Sequence, residues 1–257
     1  MRRRSLVLAL LVLGPAFSLP RGAQRFLLAR HGQTTFNAEN RFQGCMDEEP
    51  VLTAKGREQA KELGEWLKGQ DLDQVFVSPL LRARDTLSLA KEVAGDALPE
   101  ATTLRELREI ELHEWEGRTQ VEIKAEKPEL MRQWKEEAWR LQLGGRYVVR
   151  DLWHRAEAAW GLMREASPEE GRSLIVAHGT LSKGLLATAM GLSEQAFRHF
   201  HLSNGEVVEV AWHAEGSGTP KVQWRKLHPV KSPWRSRADE EEAMQKQDLA
   251  LEEVEAA

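Results

Sequence analysis

Two arginines and two histidines in this sequence each follow a short apolar run, where a strand is expected to end. Arg30 and His31 come directly after the first of these runs. Arg82 comes shortly after the second run, and His178 comes directly after the third. A guanidinium offers paired N–H donors that match the oxygens of a phosphate, and it stays charged at every working pH. These residue types therefore predict a site for a doubly charged oxyanion, provided that the fold brings them together.

Phosphoryl transfer is the chemistry that such a site favours. The reaction needs mainly positioning and neutralisation of charge on the equatorial oxygens, and Arg and His supply both. A neutral histidine ring nitrogen can act as the nucleophile, and nearby arginines favour the neutral form because they disfavour another positive charge. A carboxylic acid must still protonate the leaving oxygen. No cofactor and no metal are expected, since His199, His201 and His213 do not form a defined ligand set.

The spacing of apolar residues predicts the elements that position these groups. Short apolar runs typical of buried strands occur at 26–29, 75–77 and 174–177, and segments with helical periodicity separate them. Strands that alternate with helices predict an α/β fold, a three-layer αβα sandwich with a mostly parallel sheet. Ligands bind beyond the carboxyl ends of the strands in such sheets. The predicted helices are 53–68, 80–93, 119–141, 147–166 and the segment through 190. Late strands are predicted at 206–213 and 221–227, in a hairpin.

The composition excludes several classes of protein. The chain has 257 residues, of which 41% are hydrophobic and 30% charged, so it can bury a sizeable core and is not disordered throughout. The net charge is −4, and the part of the chain between its two ends is nearly neutral. General nucleic-acid binding needs an excess of basic residues and is not expected. The single Cys45 cannot form an intramolecular disulfide.

The two ends of the chain differ from the predicted domain at 23–232. Residues 1–22 carry three arginines ahead of an apolar run that is too short to span a bilayer, a pattern typical of a targeting leader. Phe17 after small residues resembles the leaders of algal plastid proteins, so we expect a plastid location, with the secretory pathway as the alternative. No membrane partner is expected after leader removal. Residues 233–257 are rich in acids and are expected to form a solvated, disordered tail.

The residues around the two histidines belong to longer motifs. These are Leu28-Ala29-Arg30-His31-Gly32-Gln33-Thr34, the Ser-Pro-Leu-x-Arg-Ala-x-x-Thr run from Ser78 to Thr86, Leu107-Arg108-Glu109-Ile110 with Trp115-Glu116-Gly117, and Val176-Ala177-His178-Gly179. Together they resemble the histidine phosphatase superfamily (phosphoglycerate mutase-like), and the resemblance covers about residues 25–213. It implies the fold of that superfamily and catalysis through a phosphohistidine.

The resemblance also implies a role for each residue of the predicted site. It makes His31 the nucleophile and Glu109 the proton donor. Glu111 is close enough in the sequence to be the competing donor. The residues that it assigns to binding the phosphoryl group are Arg30, Asn37, Arg82 and His178, and those that it places in the substrate loop are Gln43 and Gly44.

The motifs favour a metal-independent phosphomonoesterase with a small phosphorylated metabolite as its partner. A mutase shields its site with an added segment after the acid, whereas here Glu109 is followed closely by Trp115-Glu116-Gly117 and a compact helical stretch. A phosphoglycerate mutase-type isomerase therefore stands as the alternative. A catalytically silent protein that binds a phosphorylated ligand is a third hypothesis, and the presence of both histidines, both arginines and the acid argues against it.

The segment from Gly145 to Trp153 bears on the substrate. It resembles the plant 2-carboxy-D-arabinitol-1-phosphatases, which implies a small sugar phosphate or sugar-acid phosphate such as 2-carboxy-D-arabinitol 1-phosphate. Arg146 or Arg150 would then pair with the carboxylate of the substrate. For each of them, an ordinary arginine on the surface of a helix start is the more frequent arrangement.

Overall fold

A six-stranded sheet forms the centre of the protein. The computed structural model describes residues 23–46 and 50–213, and the backbone of 222–228. The predicted leader at 1–22 and the predicted tail at 233–257 lie outside the described residues. The strands are β1 (Ala23–Arg30), β2 (Gln74–Val77), β3 (Ala101–Thr103), β4 (Gln142–Leu143), β5 (Arg146–Tyr147), β6 (Arg172–Ala177), β7 (Val207–His213) and β8 (Val222–His228).

The central sheet is mostly parallel, as predicted. Its strand order is β3-β2-β6-β1-β7-β8, and the first four of these strands pair in parallel. β7 and β8 add an antiparallel pair at the other side, which agrees with the predicted late hairpin. β4 and β5 form a separate two-stranded ribbon. The three strands that precede the arginines and histidines of the predicted site therefore lie side by side with their carboxyl ends at one edge.

β1 shows why the apolar runs form strands that are buried on both faces. Successive side chains of a strand point to opposite faces of the sheet. Leu27 and Ala29 pack into a hydrophobic cluster with α2 (Ala54–Leu67) and α3 (Leu81–Ala94). Phe26 and Leu28 pack on the opposite face, in a cluster that contains α6 (Val148–Ala166) and α7 (Gly179–Ala189). Helices thus cover both faces, and the predicted three-layer arrangement is confirmed.

The predicted helix at 119–141 is divided into shorter pieces in the structure. α4 (Gln120–Glu126) and α5 (Pro128–Glu136) are separated at Lys127, and a 3-10 turn follows at Ala138–Arg140. Pro128 causes the break, because proline lacks the N–H of a helical hydrogen bond and displaces the preceding residue from the helical region. Lys127 accordingly has φ −131° and ψ 64°. The prediction of one helix was wrong because apolar spacing alone does not register this break.

α1 (Thr35–Ala38) is a single turn that follows the end of β1 and begins with a capping box at Thr34. β3 was not predicted because it is an exposed edge strand with no apolar pattern. Among the helices of the described residues, none has both the length and the apolar character to cross a membrane.

Candidate active site

The pairing of β1 with β6 brings the two histidines together. Arg30 lies opposite Ala177 in the parallel register, so the next residues along each strand, His31 and His178, become neighbours. Their ring centroids lie 5.3 Å apart. The two residues are separated by more than half of the chain, and adjacency of two parallel strands is sufficient to place them in one site.

His31 has the protonation state that a nucleophile requires. Its Nδ1 lies 2.7 Å from the carbonyl oxygen of Gly32, and because a carbonyl only accepts, Nδ1 carries the proton. Nε2 is then the nitrogen with a free lone pair. The side chain is only 2% exposed. Burial, followed by the charges of Arg82 and Arg30, lowers the pKa of His31 well below 6.5, so the ring is neutral at physiological pH.

His178 is held by Ser78 at the end of β2. The His178 Nε2 lies 2.7 Å from the Ser78 hydroxyl oxygen, which also accepts from the backbone N–H of Leu80 at 3.3 Å. Nδ1 of His178 is buried and has no hydrogen-bond partner within the described part of the chain. When the Ser78 hydroxyl donates to Nε2, Nδ1 carries a proton that it can donate to a phosphoryl oxygen. Burial is the largest cause that lowers the pKa of His178 well below 6.5.

Arg82 and Arg30 supply the positive charge of the site. Arg82, in the first turn of α3, is 1% exposed and donates from Nη2 to the carbonyl oxygen of Gly44 at 2.8 Å. Arg30 donates from Nη1 to the carbonyl oxygen of Leu202 at 2.8 Å. Nε of Arg30 is buried and finds no hydrogen-bond partner among the described residues. Gly179 leaves space for the Arg30 guanidinium, since a Cβ there would lie 2.9 Å from its Cζ.

Glu109 is the acid that the fold brings to this cluster. It is buried, and its carboxylate lies at the first turn of α7, the helix that begins immediately after His178. Oε2 accepts from the backbone N–H of Thr180 at 2.9 Å, and Oε1 accepts from that of Leu181 at 2.8 Å. Its negative charge is the largest one that acts on Arg30. The carboxylate therefore lies within the electrostatic environment of the proposed phosphoryl site.

Glu111 has a different environment. Its side chain is 45% exposed and lies 3.5 Å from Arg108 and 3.8 Å from Arg155 in surface ion pairs. No hydrogen bond links it to α7 in the described structure. The geometry therefore favours Glu109 over Glu111 as the proton donor.

The backbone of Glu109 is fixed by two side chains. Arg155 donates from Nη2 to its carbonyl oxygen at 2.7 Å, and the Cys45 thiol donates to the same oxygen at 2.9 Å. Burial raises the pKa of the Cys45 thiol to about 12. Since the thiolate is the reactive form, this cysteine is an unreactive hydrogen-bond donor.

The remaining predicted residues support the loop after β1. Oδ1 of Asn37 accepts from the backbone N–H of Thr34 at 3.1 Å, which closes the capping box of α1. The Thr34 hydroxyl donates to Oε1 of Gln43 at 2.9 Å. Gly44 has a φ of +57°, and its carbonyl oxygen accepts from Arg82. Gln43 and Gly44 thus support Thr34 and Arg82, two residues at the predicted site.

Asn204 is a residue of the site that the sequence did not indicate. From the loop before β7, its Nδ2 donates to the carbonyl oxygen of His31 at 3.0 Å and to Oδ1 of Asn37 at 3.1 Å. It thereby links the backbone of His31 to the first turn of α1. The sequence Ser203-Asn204-Gly205 is typical of a turn, and this local pattern contains no signal for a role at the site.

The two arginines proposed to hold a substrate carboxylate are engaged elsewhere. Nε of Arg146 lies 2.6 Å from Asp151, and the Arg146 side chain is 63% exposed. Nε of Arg150 lies 3.7 Å from Glu194. These surface ion pairs correspond to the more frequent arrangement for arginines at a helix start, so the structure does not support a substrate role for them.

Comparison with known proteins decides the family. The model of the histidine phosphatase superfamily (branch 1) matches residues 26–225. The chain belongs to this superfamily. The resemblance inferred from the motifs around His31 and His178 is thus confirmed, and the phosphoglycerate mutase-like fold is confirmed by the structural neighbours of this superfamily member.

Individual relatives carry several different names. A probable 2-carboxy-D-arabinitol-1-phosphatase of Arabidopsis thaliana is 36% identical over 230 residues, which make up 88% of this chain and 46% of that protein. A probable phosphoglycerate mutase of Salmonella paratyphi A is 32% identical over 192 residues, 71% of this chain and 82% of that protein. The chain spans less than half the length of the plant relatives that it matches.

A solved structure agrees with the described fold. It is the mycobacterial glucosyl-3-phosphoglycerate phosphatase in complex with VO3, which has 27% sequence identity and a TM-score of 0.67. The match covers 81% of this chain and 98% of the mycobacterial chain. The α/β architecture is therefore shared along nearly the whole mycobacterial protein.

Proposed function

We propose that this protein is a phosphomonoesterase that uses His31 as its nucleophile. The observation that carries the proposal is the buried imidazole of His31, whose hydrogen bond to Gly32 leaves Nε2 unprotonated. The positive charges of Arg30 and Arg82 act directly on this ring. An unprotonated nitrogen in a cationic pocket is suited to attack the phosphorus of a dianionic ester.

The reaction has two steps in this proposal. Nε2 of His31 forms a bond to phosphorus while the bond from phosphorus to the ester oxygen breaks, and the carboxyl group of Glu109 gives its proton to that oxygen. Water then attacks the phosphohistidine with Glu109 as general base, which releases inorganic phosphate and restores the His31 lone pair. Arg30, Arg82 and the Nδ1–H of His178 stabilise the charge on the phosphoryl oxygens throughout.

A small sugar phosphate or sugar-acid phosphate is the substrate class that we propose. Support comes from the names of relatives with different substrates, since 2-carboxy-D-arabinitol 1-phosphate and glucosyl-3-phosphoglycerate both carry a carboxylate near the phosphate. Such substrates share a phosphoryl group, which would bind in the pocket at His31. 2-Carboxy-D-arabinitol 1-phosphate is accordingly the first compound to assay.

The proposal is tested with the full chain and its His31→Ala variant. Wild-type protein should hydrolyse p-nitrophenyl phosphate and should retain ³²P from a labelled phosphomonoester after quenching under conditions that preserve phosphohistidine. The variant should lose both signals while its circular dichroism spectrum is unchanged. Normal turnover by His31→Ala would remove this residue from the mechanism. A panel of sugar phosphates, phosphoglycerates, phosphoserine and 2-carboxy-D-arabinitol 1-phosphate then identifies the substrate by kcat/KM.

An isomerase of the phosphoglycerate mutase type is the second candidate, and the Salmonella relative is the observation that favours it. Both activities begin with transfer to His31, and they differ in whether the phosphoryl group returns to the sugar acid or passes to water. Interconversion of 3- and 2-phosphoglycerate that requires the bisphosphate would identify a mutase. Release of inorganic phosphate without isomer formation would identify the phosphatase.

A further inference from the structure

Lys183 and Arg198 are two cations that lie against the same aromatic ring, that of Phe197. The Lys183 ammonium lies 5.2 Å from the centre of the Phe197 ring. The guanidinium carbon of Arg198 lies 5.3 Å from the centre of the same ring and 4.9 Å from that of Trp134. Within the part of the chain that the structure describes, neither cation forms an ion pair with a carboxylate. The aromatic faces attract both cations but carry no net charge that would neutralise them.

Lys183 lies on the face of α7 that borders the site. It is four residues after Gly179, and residues with this spacing share one face of a helix. Gly179 is the residue beneath the Arg30 guanidinium. A rise of about 1.5 Å per residue places Lys183 about 7.5 Å from His178 along the helix axis. The short carbon chain between the phosphate and the carboxylate of a sugar-acid phosphate spans a similar distance.

Lys183 lies close enough to Arg30 and Glu109 for their charges to affect its pKa. Its side chain is partly buried, and the cation feels the positive charges of Arg198 and Arg30 as well as the negative charge of Glu109. Burial is the largest effect and, together with the two arginines, lowers the pKa of Lys183 to about 8. A partly buried ammonium group close to other cations is unfavourable by itself, and an anion placed between the cations removes this penalty.

We propose that Lys183 and Arg198 bind the carboxylate of a phosphorylated sugar acid while its phosphate occupies the site at His31. The inference deepens the proposed function and rests on it, because it requires that the phosphoryl group bind between His31 and His178. The two cations would then select acidic phosphate esters over neutral sugar phosphates. Lys183 and Arg198 would thus take the role that the sequence pattern suggests for Arg146 or Arg150.

A matched pair of ligands isolates the carboxylate. 3-Phosphoglycerate and glycerol 3-phosphate have the same carbon chain and phosphate, and a carboxylate in the first replaces a hydroxymethyl group in the second. Inhibition constants for both are measured against hydrolysis of p-nitrophenyl phosphate by the full chain. We expect wild-type protein to bind 3-phosphoglycerate at least about tenfold more tightly, since a hydrogen bond between charged groups is worth about that factor.

Charge-removing variants test the two cations individually. Lys183→Met and Arg198→Met should each raise the inhibition constant for 3-phosphoglycerate by about tenfold and leave that for glycerol 3-phosphate unchanged. Lys183→Arg should retain the preference because it retains the charge. Lys135→Met, which removes an exposed lysine from α5, is the matched control and should behave like wild type.

The outcomes separate this inference from the proposed function. If the wild type hydrolyses p-nitrophenyl phosphate through His31 and both methionine variants keep the preference for 3-phosphoglycerate, the carboxylate site is refuted and the phosphatase stands. A wild type without any His31-dependent hydrolysis overturns the proposed function. In that case the carboxylate site is tested by calorimetric dissociation constants for the same two ligands. Equal affinities of wild type and Lys183→Met for 3-phosphoglycerate would refute the carboxylate site.

Discussion

The Nδ1 atom of His31 lies 2.7 Å from the carbonyl oxygen of Gly32, the residue next to it in the chain. This contact fixes the tautomer of the ring through the local backbone, because the carbonyl can only accept. It leaves Nε2 as the basic nitrogen whatever the state of the surrounding side chains. The arginines around the ring then affect its pKa, while the backbone determines which nitrogen acts.

The first prediction concerns the titration of His31. Burial and the charges of Arg82 and Arg30 lower its pKa well below 6.5, so the ring stays neutral as the pH falls through 6.5 and becomes protonated only at lower pH. In an NMR titration, the ring resonances of His31 should therefore show no midpoint near pH 6.5. Arg82→Gln removes one cation and should raise the pKa towards its ordinary value. A midpoint at or above pH 6.5 in the wild type would contradict this electrostatic account.

A second prediction separates proton donation by Glu109 from its role as a helix cap. In Glu109→Gln the side chain has no acidic proton to give to the leaving oxygen, so hydrolysis of an alkyl phosphate should slow by about 10²- to 10⁴-fold. p-Nitrophenyl phosphate has a leaving group that needs no proton and should be affected far less. The measurement is kcat for both substrates.

Glu111→Gln is the control for this prediction, because Glu111 is exposed and lies in surface ion pairs. It should leave both rates near those of the wild type. Equal losses on both substrates in Glu109→Gln would assign Glu109 a purely structural role at the start of α7.

A third prediction concerns the support of His178 by Ser78. Ser78→Ala removes the hydroxyl that contacts His178 Nε2 and leaves the buried N–H of Leu80 without its acceptor. The free energy of unfolding, measured by urea denaturation, should fall by about 1–3 kcal/mol, and kcat/KM should fall because the ring is no longer held in place. Ser88→Ala, on the exposed side of α3, should change stability by less than about 0.5 kcal/mol. Equal effects of the two substitutions would show that the hydrogen bond to His178 contributes nothing.

A fourth prediction uses two glycines within helices. A Cβ at Gly179 would lie 2.9 Å from both Cζ and Nε of Arg30, so Gly179→Ala should displace the guanidinium and lower kcat/KM for p-nitrophenyl phosphate. Because the group that must move is the end of a flexible side chain, the loss should appear in activity rather than in stability. Gly161, in α6, has nothing within 4 Å of such a Cβ. Gly161→Ala should therefore stabilise the fold by roughly 0.5–1 kcal/mol without affecting activity. Full activity of Gly179→Ala would show that the position of Arg30 is not critical.

The amino-acid sequence determined the strands and the residues at their ends. Runs such as Phe26-Leu27-Leu28-Ala29 are apolar on both faces, and only a strand covered by helices on each side buries them completely. Arg30 and His31 must then emerge at the carboxyl edge of the sheet, as must His178 after β6. The composition of short local segments was sufficient for this part of the site.

Only the tertiary structure decided which partners these residues have. Glu109 and Glu111 are only two residues apart, and the local sequence does not show which of them is the proton donor. The difference between them comes from the start of α7, where Leu181 lies 72 residues away from Glu109. Asn204 reaches His31 across 173 residues from a turn without any distinctive local pattern.

The carboxylate site proposed at Lys183 and Arg198 likewise exists only when Phe197 packs against α7. Helix and strand formation depend on side-chain patterns over a few neighbouring residues, which a sequence displays directly. Contacts between distant loops depend on how whole layers pack, and the free energy that selects them is distributed over many residues.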